Sequence, residues 1–213
     1  MKALIKKWLR GQGYELNQLY VGEQKLLPPD MSFSYREAQC YIASSYAGQI
    51  SIDEARLLSA LVRSSDPSRP IIEVGTLFGH STMVLALAKQ RDQPLISVDN
   101  YSWNHLGVRP DVHRVITRDR LKQAIASHNV TLLDMSAAEF YASYEGPPPA
   151  LYFCDADHSY DAVRADLLWA RSAGATIICG DDYEPDFHPG LVQAVNELGG
   201  VAQLSGGLYV LKQ

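Results

Sequence analysis

Apolar strand-like runs alternate with helix-like segments from residue 71 to the end of the chain. The predicted strands lie at 71–75, 95–99, 130–133, 151–155, 175–180, 201–204 and 208–212. The helices predicted between them lie at 80–90, 117–127, 136–144, 159–172 and 190–198. Such alternation is typical of an α/β domain with a doubly wound, mostly parallel sheet. Ser205–Gly206–Gly207 separates the last two strands and is a hairpin signal, which predicts an antiparallel strand at one edge.

The first fifty residues do not follow this alternation. They hold five of the twelve tyrosines and are interrupted by glycines and prolines. We predict a short helix over 2–10 and irregular structure after it, so that residues 1–50 form an N-terminal arm and residues 51–213 the main domain. The arm could cover the domain or a neighbouring subunit of a homo-oligomer, or it could close over a substrate pocket as a lid. Ser51 followed by Glu54 is a capping-box pattern and opens the first helix of the main domain.

Composition limits the partners that we expect. The 213 residues suit one large domain, or a domain with a modest extension. A net charge of −5 without a Lys/Arg-rich stripe argues against nucleic acid as the main partner. We find no apolar run of about 18 residues and no signal-peptide pattern, so we expect no membrane span and a cytoplasmic protein. The three cysteines have no metal-like spacing, which fits a reduced compartment.

Two predicted strands, 151–155 and 175–180, run directly into polar residues. The carboxylates and the imidazole at these strand ends are Asp155, Asp157, His158, Asp181 and Asp182. The carboxyl ends of parallel strands form the edge of the sheet where ligands bind. The pattern therefore predicts a metal site or a proton-transfer site at this edge.

A glycine-bounded turn follows the first strand of the alternation. Gly75 and Gly79 allow close approach of the backbone to a ligand, and the helix that follows offers unpaired N–H groups. Asp99 ends the next strand, where a ribose diol would be held. The turn lacks the glycine spacing of dinucleotide sites and the Gly-Lys-Ser/Thr of phosphate loops. A ligand that contains adenosine but no pyrophosphate fits it better.

These motifs resemble the class I S-adenosylmethionine-dependent methyltransferases. The resemblance is carried by Glu73-x-Gly75-x-x-x-Gly79-x-Ser81, by Asp99 and by Asp134–Met135–Ser136. More narrowly, Asp155-x-Asp157–His158–Ser159–Tyr160, Asp166–Leu167 and Asp181–Asp182–Tyr183 resemble the small metal-dependent O-methyltransferases, and the bacterial branch that acts on sugars and secondary metabolites is the closer one. The resemblance covers residues 52–212 and implies a Rossmann-like, seven-stranded sheet whose final strand is antiparallel.

The resemblance also implies roles for individual residues around S-adenosylmethionine. Glu73, Gly75, Thr76, Gly79 and Ser81 would surround the methionine part of this cofactor. Asp99 would hold the ribose hydroxyls, and Asp134, Met135 and Ser136 would border the adenine.

At the reacting end, the resemblance implies Mg²⁺ held by Asp155, Asp181 and Asp182. A hydroxyl bound to such an ion becomes more acidic and is fixed in place. Catechol-type relatives usually have Asn at the third ligand, whereas Asp182 agrees better with the sugar-acting branch. Asp157 or His158 is the candidate base beside Asp155, and either residue could instead cap the following helix. The loops 101–105 and 183–188 could form substrate walls.

We therefore expect an O-methyltransferase that methylates a hydroxyl of a small polar molecule or sugar. Two alternatives remain open from the residues alone. A nicotinamide-dependent reductase would need a different glycine turn and a Tyr/Lys proton donor, neither of which is evident. A non-catalytic protein could have kept the cofactor pocket of the same fold, although the intact Asp155, Asp181 and Asp182 argue against lost chemistry.

Overall fold

A computed structural model of the protein describes residues 50–212. The predicted N-terminal arm, with its helix over 2–10, lies outside these residues except for Ile50. The helices are α1 (Ile52–Ser64), α2 (His80–Ala88), α3 (Pro110–Ser127), α4 (Ala137–Ser143), α5 (Tyr160–Ser172) and α6 (Pro189–Glu197). The strands are β1 (Ile71–Val74), β2 (Leu95–Asp99), β3 (Val130–Asp134), β4 (Leu151–Cys154), β5 (Ile177–Gly180), β6 (Val201–Ser205) and β7 (Leu208–Leu211).

The strands form one seven-stranded sheet in the order β3-β2-β1-β4-β5-β7-β6. β1 to β5 pair in parallel, and β7 pairs antiparallel with both β5 and β6. Val74 pairs with Val98 on one side and with Cys154 on the other, and Cys154 pairs with Gly180. The carboxyl ends of β1, β2, β4 and β5 therefore lie side by side. The predicted doubly wound sheet with a C-terminal antiparallel hairpin is confirmed.

Successive residues of the strands face opposite sides of the sheet, and each side carries its own core. Ile71 belongs to a core that includes Leu58 of α1, Leu85 of α2 and Leu121 of α3. Ile72 belongs to the other core, which includes residues of α4, α5 and α6. Because both faces are covered, β1 and β4 are buried along their whole length rather than alternating between buried and exposed residues. Among the helices of residues 50–212, none is both long enough and apolar enough to cross a membrane.

Helix α3 is longer than the sequence pattern predicts, since it begins at Pro110 and not at residue 117. Proline is favoured at the first helical position, where its missing N–H is not needed. In the added turns the buried side chains are polar and the apolar Val112 and Val115 are exposed, which hides the helical periodicity. His113 and Thr117 are both buried, and both hydrogen-bond the carbonyl oxygen of Leu77, at 2.9 and 2.6 Å.

Glu54 joins the beginning of α1 to the β6–β7 hairpin. Its backbone N–H donates to the Ser51 hydroxyl, and its Oε2 accepts from the Ser51 N–H, so the predicted capping box is present. Its Oε1 accepts from the backbone N–H of Gly207 at 2.6 Å. The Glu54 carboxylate therefore accepts from two backbone donors, Ser51 in its own helix cap and Gly207, which is 153 residues away in the sequence.

We expect Glu54→Ala to lower the free energy of unfolding by about 1–3 kcal/mol, because the Gly207 N–H loses its buried acceptor. Urea unfolding monitored by circular dichroism measures this change. Asp53→Ala is the matched control, since Asp53 lies in the same helical turn but is exposed, and we expect it to change stability by less than about 0.5 kcal/mol. Equal effects of the two substitutions would contradict the assigned role of Glu54.

Candidate functional site

A cavity of about 620 Å³ opens at the carboxyl edge of the sheet. A volume of this size suits a small-molecule ligand. The predicted site residues that line it are Gly75, Asp99, Met135, Ser136, Asp155, Asp157, His158 and Asp182. The predicted site residues that do not line it are Glu73, Thr76, Gly79, Ser81, Asp134 and Asp181. One cavity thus joins the glycine turn to the acidic strand ends.

Gly75 is required by the packing of the protein itself. Its φ of 105° lies in the region that favours glycine, and a Cβ there would lie 1.7 Å from the carbonyl oxygen of Asp155. Backbone hydrogen bonds hold both strand ends, from Gly75 N–H to Val98 and from Asp155 N–H to Val74, each at 2.9 Å. The turn after β1 therefore presses directly against the beginning of the acidic segment after β4.

Gly79 begins helix α2 with a φ of 83° and lies away from the cavity. A Cβ at this position would lie 2.7 Å from Cδ1 of Leu121. The second glycine of the motif therefore serves the packing of α2 against α3.

Asp99 is fixed at the cavity wall by two backbone donors. The N–H groups of Leu77 and Tyr101 each donate to one of its carboxylate oxygens at 2.7 Å. Both donor residues have left-handed backbones, with φ of 46° and 56°, which is unusual for residues other than glycine. Burial raises the pKa of Asp99, and the two N–H groups oppose that rise. The Asp99 carboxylate therefore holds the turns after β1 and β2 in place. Because it also lines the cavity, it can accept further hydrogen bonds from a ligand.

Glu73 lies beneath the glycine turn, fully buried. The hydroxyls of Thr82 and Ser97 donate to its Oε2 at 2.5 and 2.6 Å. Burial raises the pKa of Glu73 to about 7, although hydroxyls of Ser81, Ser97 and Thr82 favour the charged form. The contacts of Glu73 join β1, β2 and α2 under the turn.

The end of β3 and the residues that follow it divide between the cavity and the surface. Met135 and Ser136 line the cavity, and Ser136 also caps α4 in a capping box with Glu139. Asp134 instead forms an ion pair with Arg114 of α3, with 2.6 Å between Nε and Oδ2. Sequence reasoning misses this partner, because it places Arg114 in the loop that precedes a helix over 117–127.

The acidic strand ends after β4 and β5 are crowded. Asp155 lines the cavity, while Asp181 is buried behind it, 5% exposed. Burial and the charges of Asp155, Glu54 and Asp182 raise the pKa of Asp181 to about 9. Burial also raises the pKa of Asp155. Glu54 was not foreseen here, since it reaches the cluster from α1.

Asp182 lies between two imidazoles. Its Oδ2 is 3.2 Å from Nε2 of His158, and its Oδ1 is 3.9 Å from Nε2 of His188. His158 Nε2 is also 3.8 Å from Oδ1 of Asp155. Within residues 50–212, His158, Asp182 and His188 are the one group of three side chains whose potential metal-ligand atoms all lie within 4.8 Å of one another. His188 was expected only in a substrate wall, and its place six residues after Asp182 was the available signal.

Asp157 combines a structural contact with a place on the cavity wall. Its Oδ1 accepts from the backbone N–H of Ser159 at 2.8 Å, just before α5 begins. The rest of the carboxylate is exposed toward the cavity. One of its oxygens thus remains available for chemistry.

Comparison with known proteins places the chain among methyltransferases. Residues 72–183, just over half of the chain, match a family model described as a methyltransferase domain. No curated protein sequence matches the chain.

Several solved structures share the fold. The cofactor-bound Rv0187 from MTB is 20% identical, with a TM-score of 0.63 over 85% of this chain and 89% of that one. The O-methyltransferase TomG from Streptomyces achromogenes, solved with S-adenosylmethionine, is 19% identical with a TM-score of 0.60 over 85% and 89%. The O-methyltransferase from Bacillus cereus, solved with S-adenosylhomocysteine, is 17% identical with a TM-score of 0.59 over 98% and 97%.

The raised pKa of Glu73 predicts a pH-dependent loss of stability. Its ordinary value is 4.5 and its folded value about 7, so the folded state binds the extra proton between them and loses that advantage as the pH rises. We expect wild type to lose on the order of 1–3 kcal/mol relative to Glu73→Gln between about pH 4.5 and about pH 8, measured by urea unfolding.

Glu145→Gln is the control for this measurement, because Glu145 is exposed. It should follow the pH profile of wild type. A Glu73→Gln profile parallel to that of wild type would show that Glu73 does not titrate in this range.

Proposed function

The chain belongs to the methyltransferase-domain family, and from this premise we propose that it transfers the methyl group of S-adenosylmethionine to a hydroxyl oxygen of a small polar molecule or sugar. One observation carries the proposal. A single cavity is lined by the glycine turn and Asp99 on one side and by Asp155, Asp157 and His158 on the other. A methyl donor and an oxygen acceptor could therefore meet within it.

The proposed cofactor side is built from the ends of β1, β2 and β3. Asp99 would accept hydrogen bonds from the ribose hydroxyls, and Met135 and Ser136 would border the adenine. Gly75 lines the same wall, where the methionine part would lie. S-adenosylmethionine and S-adenosylhomocysteine, present in the TomG and Bacillus cereus structures, support this choice of cofactor.

On the reacting side, we assign the role of base to Asp157. The sulfonium donor is already activated, so the protein needs to align the acceptor and remove its proton. Asp157 has one oxygen bound to the Ser159 N–H and the other available at the cavity wall. His158, the other candidate, has its Nε2 turned toward Asp182 and Asp155.

A divalent cation is also part of the proposal, and Mg²⁺ at Asp155, Asp181 and Asp182 stays a prediction. The donor chemistry fits a cation, because burial and neighbouring carboxylates raise the pKa of Asp181 to about 9 and a positive ion would offset that crowding. A bound ion would make an acceptor hydroxyl more acidic. Asp155 and Asp182 would hold it at the cavity wall.

The family membership argues against the nicotinamide-dependent reductase. A non-catalytic binding protein of the same fold differs from the proposed enzyme in one measurable respect, which is turnover. Formation of S-adenosylhomocysteine on a panel of phenols, catechols and sugars distinguishes the two.

We expect S-adenosylmethionine to bind the full chain in isothermal titration calorimetry, and Asp99→Asn to weaken that binding by at least about tenfold, or about 1.4 kcal/mol. The substitution removes the charge and one acceptor from the group that also orders Leu77 and Tyr101. Asp92→Asn, at an exposed acid, is the control and should bind like wild type. No heat with wild-type protein would refute the proposed cofactor.

Asp157→Asn should lower kcat by roughly 10²–10⁴-fold and leave the affinity for S-adenosylmethionine unchanged. Asparagine can still accept the Ser159 N–H, so the turn before α5 is kept while the base is lost. Asp161→Asn is the matched control, at an exposed acid in the first turn of the same helix. An unchanged kcat in Asp157→Asn would remove Asp157 as the base.

A further inference from the structure

Three segments of the acidic edge converge on one point of the cavity wall. His158 lies between β4 and α5, Asp182 follows β5 directly, and His188 immediately precedes α6. All three side chains line the cavity and are half-buried. Parallel pairing of β4 with β5 places the first two of these segments beside each other.

The polar atoms of this cluster already have spacings close to those around a bound ion. Donor atoms held by one tetrahedral ion with bonds of about 2.0–2.1 Å lie roughly 3.3 Å apart. Nε2 of His158 is 3.2 Å from Asp182 Oδ2, and Nε2 of His188 is 3.9 Å from Asp182 Oδ1. The two rings are 4.5 Å apart and inclined at 74°. The two distances end on different oxygens of Asp182, and one ligand atom from each of the three residues lies within 4.8 Å of the others, so binding one ion requires the side chains to draw together.

Nε2 of His158 lies near the carboxylates of Asp182 and Asp155 without a well-formed hydrogen bond to either. It is shielded from solvent, and within the described part of the chain it has no hydrogen-bond partner of good geometry. Buried polar atoms are normally hydrogen-bonded, so an exception needs an explanation. A metal ion at this nitrogen would satisfy it.

The loop that carries Asp182 and His188 is held by its own backbone. Asp182 has a φ of 61°, a left-handed conformation that costs energy in a residue other than glycine. Tyr183 N–H donates to the Gly207 carbonyl at 2.9 Å, while the N–H groups of Glu184 and His188 donate to Asp182 and Glu184 carbonyls, each at 2.7 Å. These bonds hold the backbone positions that carry the Asp182 carboxylate and the His188 imidazole.

The three candidate ligands, two imidazoles and one carboxylate, favour one class of metal ion. Mg²⁺ prefers oxygen ligands and near-octahedral geometry, whereas imidazole suits zinc and the late first-row transition metals. We propose that this chain binds one divalent transition-metal ion through His158, Asp182 and His188. The inference rests on the proposed function for the use of the ion, which is to position and acidify the acceptor hydroxyl. This site shares Asp182 with the Mg²⁺ site predicted at Asp155, Asp181 and Asp182, so the two sites are alternatives, and Asp157 remains the proposed base in either case.

Two readouts that do not depend on turnover test this site in the full chain after dialysis against a chelator. Co²⁺ titrated into the protein should bind one ion per chain and develop a visible absorption band. X-ray absorption of the Zn²⁺-loaded protein should show nitrogen or oxygen ligands at about 2.0–2.1 Å with the outer-shell scattering of imidazole. His158→Gln and His188→Gln should each weaken Co²⁺ binding by at least about tenfold.

His105→Gln is the matched control, since His105 is an exposed histidine of another loop. It should bind Co²⁺ like wild type, and melting curves verify that each variant is folded. Oxygen-only ligation, Co²⁺ binding unchanged in both variants, or no ion bound at all would each overturn the site. The X-ray absorption of wild type decides the question even if a variant fails to fold.

Titration of S-adenosylmethionine into the same metal-free protein separates this inference from the proposed function. Cofactor binding without an imidazole-ligated ion would leave the methyltransferase proposal standing and remove the metal site. An imidazole-ligated ion without cofactor binding would do the reverse.

Discussion

The contact between Gly75 and the carbonyl oxygen of Asp155 holds the two halves of the site together. A Cβ at Gly75 would lie 1.7 Å from that oxygen, so any side chain would push β1 and the segment after β4 apart. The turn after β1 carries the proposed methionine pocket, and the segment after β4 carries Asp155, Asp157 and His158. The distance between a methyl donor and its acceptor would therefore depend on one glycine whose primary contact is with the protein itself.

The antiparallel hairpin gives the acidic edge its second support. Gly207 accepts a hydrogen bond from Tyr183 and donates one to Glu54, and a Cβ there would lie 3.0 Å from Oδ1 of Asp181. The antiparallel β6–β7 hairpin therefore packs directly against the acidic residues that follow β5. This support has a cost, because Glu54 adds a further negative charge beside Asp181. A cation at the edge would compensate for that charge.

The features that the sequence predicted well are those encoded within short segments. The apolar runs locate the strands, and the residues that directly follow them lie at the ligand-binding edge whatever the details of packing. What the sequence could not predict depends on contacts between distant segments. Arg114 pairs with Asp134 across α3 and β3, and Glu54 reaches Gly207 from 153 residues away. The first turns of α3 were missed because their buried residues, His113 and Thr117, are polar and break the apolar pattern.

The polar residues at the site differ in whether their hydrogen bonds within the protein leave an atom free to contact a ligand. Glu73 has its carboxylate beneath the turn and is bonded to hydroxyls of neighbouring elements, so its contacts serve the fold. Asp99 and Asp157 each satisfy backbone N–H groups and still face the cavity, which lets one carboxylate order a loop and meet a ligand. His158 is different, because its ring nitrogen faces carboxylates without a well-formed hydrogen bond. Spacing alone made His158 equal to Asp157 as a candidate base, whereas the contacts support our proposals of Asp157 as the base and His158 as a metal ligand.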